Sequence, residues 1–201
     1  MAKLYFRYGT MDSAKTLNLL AVAHNYRKQG KTVVLVKPQL DDRFGEAQIK
    51  SRSGLEAPAD ILVPPGQPIS IEPFEGVDCV LVDEAQFMEP SFIDRMRDLT
   101  KTHNIPVICY GLRTDFQTRL FPGARRLFEL ADSIEEVKVT CQYCSKKAVF
   151  NMRLTDGLPV FEGAQVQLGA DESYAPVCFQ HYKAAALEAG MEWPLTFDAV
   201  D

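Results

Sequence analysis

The chain has 201 residues, 46% of them apolar, and a formal net charge of −5. That length suits one sizeable core with a small appendage, and the apolar content excludes a disordered chain. The acidic balance speaks against an extended nucleic-acid surface, no stretch approaches transmembrane length, and the start MAKLYFRYG has no basic segment leading into an apolar run; the expectation is a cytoplasmic protein with neither a membrane nor a nucleic-acid partner.

Residues 4–8 form a β-prone run, and 16–27 carry Leu17, Leu20, Ala21, Ala23 and His24 at helical spacing. Between them lies GTMDSAKT, that is Gly9, Thr10, Met11, Asp12, Ser13, Ala14, Lys15 and Thr16. Strand, tight loop and helix are the context of a phosphate-binding loop. Backbone N–H groups of the loop and the helix N-terminus face the anion, Lys15 reaches the β- and γ-phosphates, and the Thr16 hydroxyl sits on Mg²⁺. The pattern GxxxxGK[ST] has Ala14 at its second glycine. A Cβ there is expected to crowd the phosphate or resist the backbone angles, although the N–H survives. The plain alternative is a polar turn before a helix.

Residues 32–36 read as a second strand ended by Lys37-Pro38, 41–58 as a polar loop, and Pro64-Pro65-Gly66 as a turn. Residues 77–82 are an apolar run of the kind buried on both faces of a parallel sheet. Asp83 and Glu84 follow at its carboxyl end, where ligands bind in open α/β sheets. Asp83 would hold Mg²⁺ and Glu84 would orient or deprotonate an acceptor hydroxyl; the alternative is a solvated pair capping the next helix. A helix over 90–102 with Phe92, Ile93, Met96 and Leu99 on one face, a strand over 106–110 and a helix over 123–131 complete the alternation. The fold class is therefore α/β, a parallel sheet flanked by helices.

After about residue 134 short strands are expected over 136–141, 147–153 and 159–161. Cys79 and Cys109 lie in apolar strands and read as core. Cys141-x-x-Cys144 and Cys178-x-x-His181 have the paired spacing of a tetrahedral zinc site, and four protein ligands make it structural. A redox pair or disulfide would leave the second pair unexplained. His24 reads as a helix-face histidine and His103 as a surface one, neither with a metal role. The expected domains are a nucleotide-binding domain over 1–135, a zinc-binding domain over 136–190 and a tail over 191–201. The small domain needs its metal in place of a core.

Taken in order, the phosphate loop, LDDRFG at 40–45, LVDEAQF at 81–87, YGLRTDF at 110–116, the zinc pairs and GADESY at 169–174 resemble the type II thymidine kinases over roughly residues 3–183. The resemblance implies a RecA-like P-loop domain with a small C-terminal zinc-binding domain carrying a lasso loop. It implies γ-phosphate transfer from ATP, with Mg²⁺, to the 5′-hydroxyl of thymidine (and deoxyuridine), a homotetramer, and feedback inhibition by dTTP. By resemblance Glu84 matches the catalytic base and Arg43 an arginine facing the phosphates, whose plainer role is a salt bridge with Asp41 or Asp42. Met11, Phe87, Leu112, Phe116 and Phe121 match the apolar positions around the base. Residues 162–174 match the lasso: backbone near Gln167, Leu168 and Gly169 would bond the thymine edge, and Tyr174 the sugar. His181 stands where many relatives carry cysteine. Two other readings remain open at the level of sequence: a non-catalytic nucleotide-binding relative, prompted by Ala14, and a nucleic-acid-stimulated ATPase, prompted by the DEAQ string.

Overall fold

Buried apolar runs set the architecture. In the computed structural model, which describes residues 1–40, 47–165, 172–193 and 195, they become β1 (Leu4–Tyr8), β2 (Val33–Pro38), β6 (Cys79–Val82) and β7 (Val107–Gly111). Between them come α1 (Lys15–Lys28), β3 (Gln48–Lys50), β4 (Glu56–Pro58), β5 (Ile61–Val63) and α2 (Pro90–Thr102). Then follow α3 (Pro122–Leu130), β8 (Ser133–Glu136), β9 (Phe150–Thr155), β10 (Leu158–Val160), β11 (Glu172–Val177) and α4 (Phe179–Glu188).

The chain divides into two compact units. The first holds Met1–Gly9, Ala14–Arg113 and Phe121–Val137; the second holds Thr10–Ser13, Thr114–Leu120 and the described part of Lys138–Asp201.

The first unit is built on a six-stranded sheet of order β5-β2-β6-β7-β1-β8. Every pairing in it is parallel, with Leu35 opposite Leu81, Leu81 opposite Ile108 and Phe6 opposite Cys109 and Ile134. Alternation along each strand sends side chains to both faces. On one face Leu35, Cys79, Leu81, Ile108 and Tyr110 close against Leu19, Leu20 and Ala23 of α1. The other carries Phe6, which meets Phe128 of α3 edge-on at 5.1 Å. α2 packs on β1 and β7 through its buried Phe92, Ile93, Met96 and Leu99, the stripe read from the sequence. Pro at the first position of α2 and of α3 starts each helix where the missing N–H is not needed.

Several elements differ from the sequence reading. Within 41–58 the described residues form the antiparallel β3–β4 hairpin rather than a loop; a single inward Ile49, 2% exposed, anchors it in the α1-side core. β5 went unread because three residues carry no period. The strand expected over 136–141 is instead β8, which ends at Glu136 and joins the edge of the main sheet beside β1. Its outward Ile134 and paired acids hide it from a pattern of burial.

The second unit has a three-stranded antiparallel sheet of order β10-β9-β11 with α4 against β9. Its core gathers Cys141, Met152, Phe161, Ala175, Val177, Cys178, Tyr182 and Ala186, with Trp193 and Leu195 packed at its margin. Neither β11 nor α4 was read from the sequence. The stretch matched to the lasso therefore ends inside a strand: Tyr174 lies in β11, opposite Arg153. Among the described residues no helix is long and apolar enough to cross a membrane.

Candidate functional site

In the first unit Ala14 directly precedes α1. Ala14 adopts φ 60° and ψ 28°, left-handed backbone of the kind a glycine would supply. The angles that its Cβ was expected to resist are thus reached. Asn18 N–H bonds Ala14 carbonyl at 3.0 Å, so α1 starts at once, with no side chain capping its first turn. Such a start turns first-turn N–H groups toward an anion. Gly9 is held by its N–H on the Gly111 carbonyl at 3.2 Å.

Behind the helix start is a partly buried polar network. Arg7 donates to the Tyr110 hydroxyl at 2.9 Å and to Asn18 Oδ1 at 3.0 Å; the Tyr110 hydroxyl donates to the same Asn18 oxygen at 2.9 Å. Three elements, β1, β7 and α1, are tied at the first turn. Burial pushes the Tyr110 hydroxyl up, while the Arg7 charge pulls it down without cancelling the rise.

Thr16 and Asp83 meet: the Thr16 hydroxyl donates to Asp83 Oδ2 at 3.2 Å. Asp83 closes β6, with its N–H on the Val36 carbonyl at 2.8 Å. Burial, and then the Glu84 charge, push the Asp83 carboxyl up to about 7, against the pull of the Glu84 N–H, the Thr16 hydroxyl and Lys15. A divalent cation on its oxygens would favour the charged form again. Glu84 has φ 47° and opens a single 3-10 turn, Ala85–Phe87. Its carboxylate accepts from Gln86 Nε2, and Gln86 Oε1 accepts the Leu112 N–H at 2.9 Å. Phe87 and Phe121 meet edge-on at 5.5 Å. Of the expected site residues, this unit brings together Thr16 with Asp83, Glu84 with Leu112 through Gln86, and Phe87 with Phe121.

In the second unit the Met11 N–H is taken by Asn151 Oδ1 at 2.7 Å, and the Ser13 hydroxyl bonds the Thr10 carbonyl at 2.8 Å. Asn151 Nδ2 donates to the Thr114 carbonyl at 3.3 Å. Phe116, 1% exposed, lies under the Arg153 guanidinium at 3.8 Å. That guanidinium also donates to the carbonyls of Glu162 and Ala164. Gln117 Nε2 donates to the Phe161 carbonyl at 2.9 Å, and Gln165 Nε2 to Asp115 Oδ2 at 3.0 Å. The beginning of the lasso stretch is thus pinned to 114–120 by three side chains. Asp12 is exposed with φ 62°, and Tyr174 is half-buried. Arg43, Gln167, Leu168 and Gly169 lie outside the described residues. Gln86, Asn151 and Arg153 were missed in the sequence. Each is a polar residue inside an otherwise inward-facing run, which is the only signal it gives.

The candidate metal-ligand set converges. Cys144 Sγ is 3.8 Å from Cys178 Sγ, and His181 Nδ1 is 3.3 Å from Cys178 Sγ and 3.5 Å from Cys141 Sγ. All four ligand atoms lie within 4.8 Å of one another. Tetrahedral zinc with Zn–S of about 2.3 Å and Zn–N of about 2.05 Å requires S···S of about 3.8 Å and S···N of about 3.5 Å. The cluster fits that ion. The His181 N–H, aided by the His181 ring, brings the Cys178 thiol down to about 6 against the pull of burial, which favours the thiolate a metal needs. His24 and His103 are exposed, and Cys79 and Cys109 are buried in strands.

The family model described as Thymidine kinase matches residues 2–182. A thymidine kinase of Streptococcus pyogenes serotype M3 (strain ATCC BAA-595 / MGAS315) is 44% identical over 187 residues, covering 90% of this chain and 97% of that protein. Thymidine kinases of Lactococcus lactis subsp. lactis (strain IL1403) and of Lactiplantibacillus plantarum are each 44% identical, over 90% of this chain and 97% and 96% of their own lengths.

Proposed function

The chain belongs to the thymidine kinase family and acts as a kinase of thymidine, and on that premise we propose that it transfers the γ-phosphate of ATP to the 5′-hydroxyl of thymidine, and of deoxyuridine, in pyrimidine salvage. The observation that carries this reading is the junction of α1 and β6. There the Thr16 hydroxyl lies 3.2 Å from Asp83 Oδ2, between a lysine at the helix start and a glutamate one residue on.

Backbone N–H groups from Gly9 through Thr10, Asp12, Ser13 and Ala14 cradle the triphosphate, and Lys15 reaches its β- and γ-phosphates. Thr16 and Asp83 offer the hard oxygen donors that Mg²⁺ takes; when bound, the ion offsets phosphate charge. Glu84 accepts the proton of the 5′-hydroxyl as its oxygen attacks the γ-phosphorus. Arg43 offers a planar fork to the transferred group. Met11, Phe87, Leu112, Phe116 and Phe121 line the base, backbone at Gln167–Gly169 bonds the thymine edge, and Tyr174 holds the sugar. Cys141, Cys144, Cys178 and His181 hold a structural zinc that fixes both ends of the lasso, which lowers the entropy cost of closing it. The same reading includes domains at 1–135 and 136–190 with a tail over 191–201, a cytoplasmic homotetramer, and dTTP as feedback inhibitor.

The test is ADP release with Mg-ATP and each natural deoxynucleoside in turn, with Glu84→Gln as control. Turnover confined to thymidine and deoxyuridine and lost in Glu84→Gln is expected. Full turnover in a folded Glu84→Gln protein removes Glu84 from the chemistry.

A further inference from the structure

Gln86 is 1% exposed, and both ends of its carboxamide are engaged. Oε1 accepts the backbone N–H of Leu112 at 2.9 Å, and Nε2 donates to Glu84 Oε2 at 2.5 Å. The orientation is fixed by chemistry: a flipped amide would set a donor against the Leu112 N–H and an oxygen against a carboxylate. An ionised acid has no donor, an apolar side chain has neither group, and an alcohol has one atom to serve both partners.

The backbone around it has little room to shift. Glu84 is left-handed, and its turn is closed by Phe87 N–H on the Glu84 carbonyl and Met88 N–H on the Ala85 carbonyl, both at 3.1 Å. The start of α3 presses on this turn so closely that a Cβ on Gly123 would come within 2.4 Å of the Ala85 carbonyl oxygen and 2.6 Å of that of Met88. From β7, a Cβ on Gly111 would come within 2.6 Å of Gln86 Oε1. With the main chain clamped, the Glu84 carboxylate is placed by its side-chain torsions, which the hydrogen bond from the Gln86 amide restricts.

We propose that Gln86 is the positioning residue of the phosphoryl transfer: it holds the Glu84 carboxylate in place and ties it, through the Leu112 N–H, to the strand end expected to border the base. This rests on the role of Glu84 proposed above. Gln86 touches no reacting atom and acts through Glu84. Phosphoryl transfer depends mainly on placement, and displacement of a catalytic group by about 1 Å costs on the order of 100-fold.

The experiment is a double-mutant cycle on kcat and on KM for both thymidine and Mg-ATP, with wild type, Gln86→Met, Glu84→Gln and the double variant. Methionine keeps the length and loses both hydrogen bonds. The expected result is a loss in kcat of about 10- to 100-fold for Gln86→Met, with both KM values within about threefold. In the Glu84→Gln background the same substitution should change the residual kcat less than about twofold. An equal loss in both backgrounds, or a raised KM with kcat retained, overturns the assignment while leaving Glu84 its role. Full turnover in Glu84→Gln sinks both. If Gln86→Met does not fold, Gln86→Glu decides: it keeps an acceptor for Leu112 and removes the permanent donor. A kcat loss at constant KM supports the proposal, and wild-type kcat overturns it.

Discussion

Ala14→Gly is the most direct test of how the backbone before α1, the proposed phosphate loop, is held. At φ 60° and ψ 28° Ala14 occupies left-handed backbone, and its side chain is exposed, so removing the methyl sacrifices almost no packing. An L-residue in that region costs about 1–2 kcal/mol relative to right-handed backbone, whereas glycine enters it freely. Against this, glycine gives the unfolded chain extra freedom, which costs about 0.4–1 kcal/mol. The net expectation is a gain of about 0.5–1 kcal/mol, or a Tm higher by about 1–4 °C for a chain of this size. Ala14→Val should move the other way, because a β-branched residue with positive φ is a true outlier. Urea unfolding of zinc-loaded protein followed by far-ultraviolet circular dichroism reads the order Gly, Ala, Val directly. Because alanine already holds the left-handed angles and keeps its N–H, Mg-ATP affinity should change less than about threefold between alanine and glycine. A glycine variant less stable than the parent would refute the strain argument. A tenfold gain in affinity would mean that the methyl obstructs the phosphates, which favours a weakened nucleotide site.

Three further outcomes follow from the structure. Cys178→Ser should lose the proposed zinc and lower Tm by at least about 5 °C, since Cys141 and Cys178 are part of the core of the second unit and Cys144 packs against it; zinc content by atomic absorption alongside a melting curve checks it, and retained stoichiometric zinc contradicts it. Tyr182→Phe should cost about 1–3 kcal/mol, because the hydroxyl donates to the buried Phe116 carbonyl at 2.5 Å and nothing replaces it; denaturant unfolding measures the loss. The Arg97 guanidinium, aided by the Leu4 N–H, holds Asp132 down to about 2. A depressed carboxyl contributes stability that is present above its unfolded value of about 3.9 and lost as pH falls toward 2. Asp132→Asn should therefore flatten the fall in stability between about pH 4 and pH 2, and an unchanged slope there would show the pair to be inert.

What could be read without coordinates follows from where the physics is local. β2, β6 and β7 are continuous apolar runs because a parallel strand is covered on both faces, and α2 shows its stripe because only one of its faces is covered. β8 is covered on neither count: Ile134 and Glu135 are exposed at the sheet edge, so its membership depends on β1 and not on its own residues. The same distinction runs through the candidate site. Lys15, Thr16, Asp83, Glu84 and the four candidate metal ligands announce themselves because the chemistry proposed for them needs those residue types at fixed spacing. Gln86, Asn151 and Arg153 do not, since a glutamine, an asparagine and an arginine are ordinary on a surface. Their meaning comes from burial to 3% exposure or less, and from partners far along the chain: Leu112 for Gln86, Met11 for Asn151, Phe116 for Arg153. A motif points to the groups proposed to do the chemistry; the groups proposed to hold them become visible only once the chain has folded and the inward-facing polar side chains can be matched to what they touch.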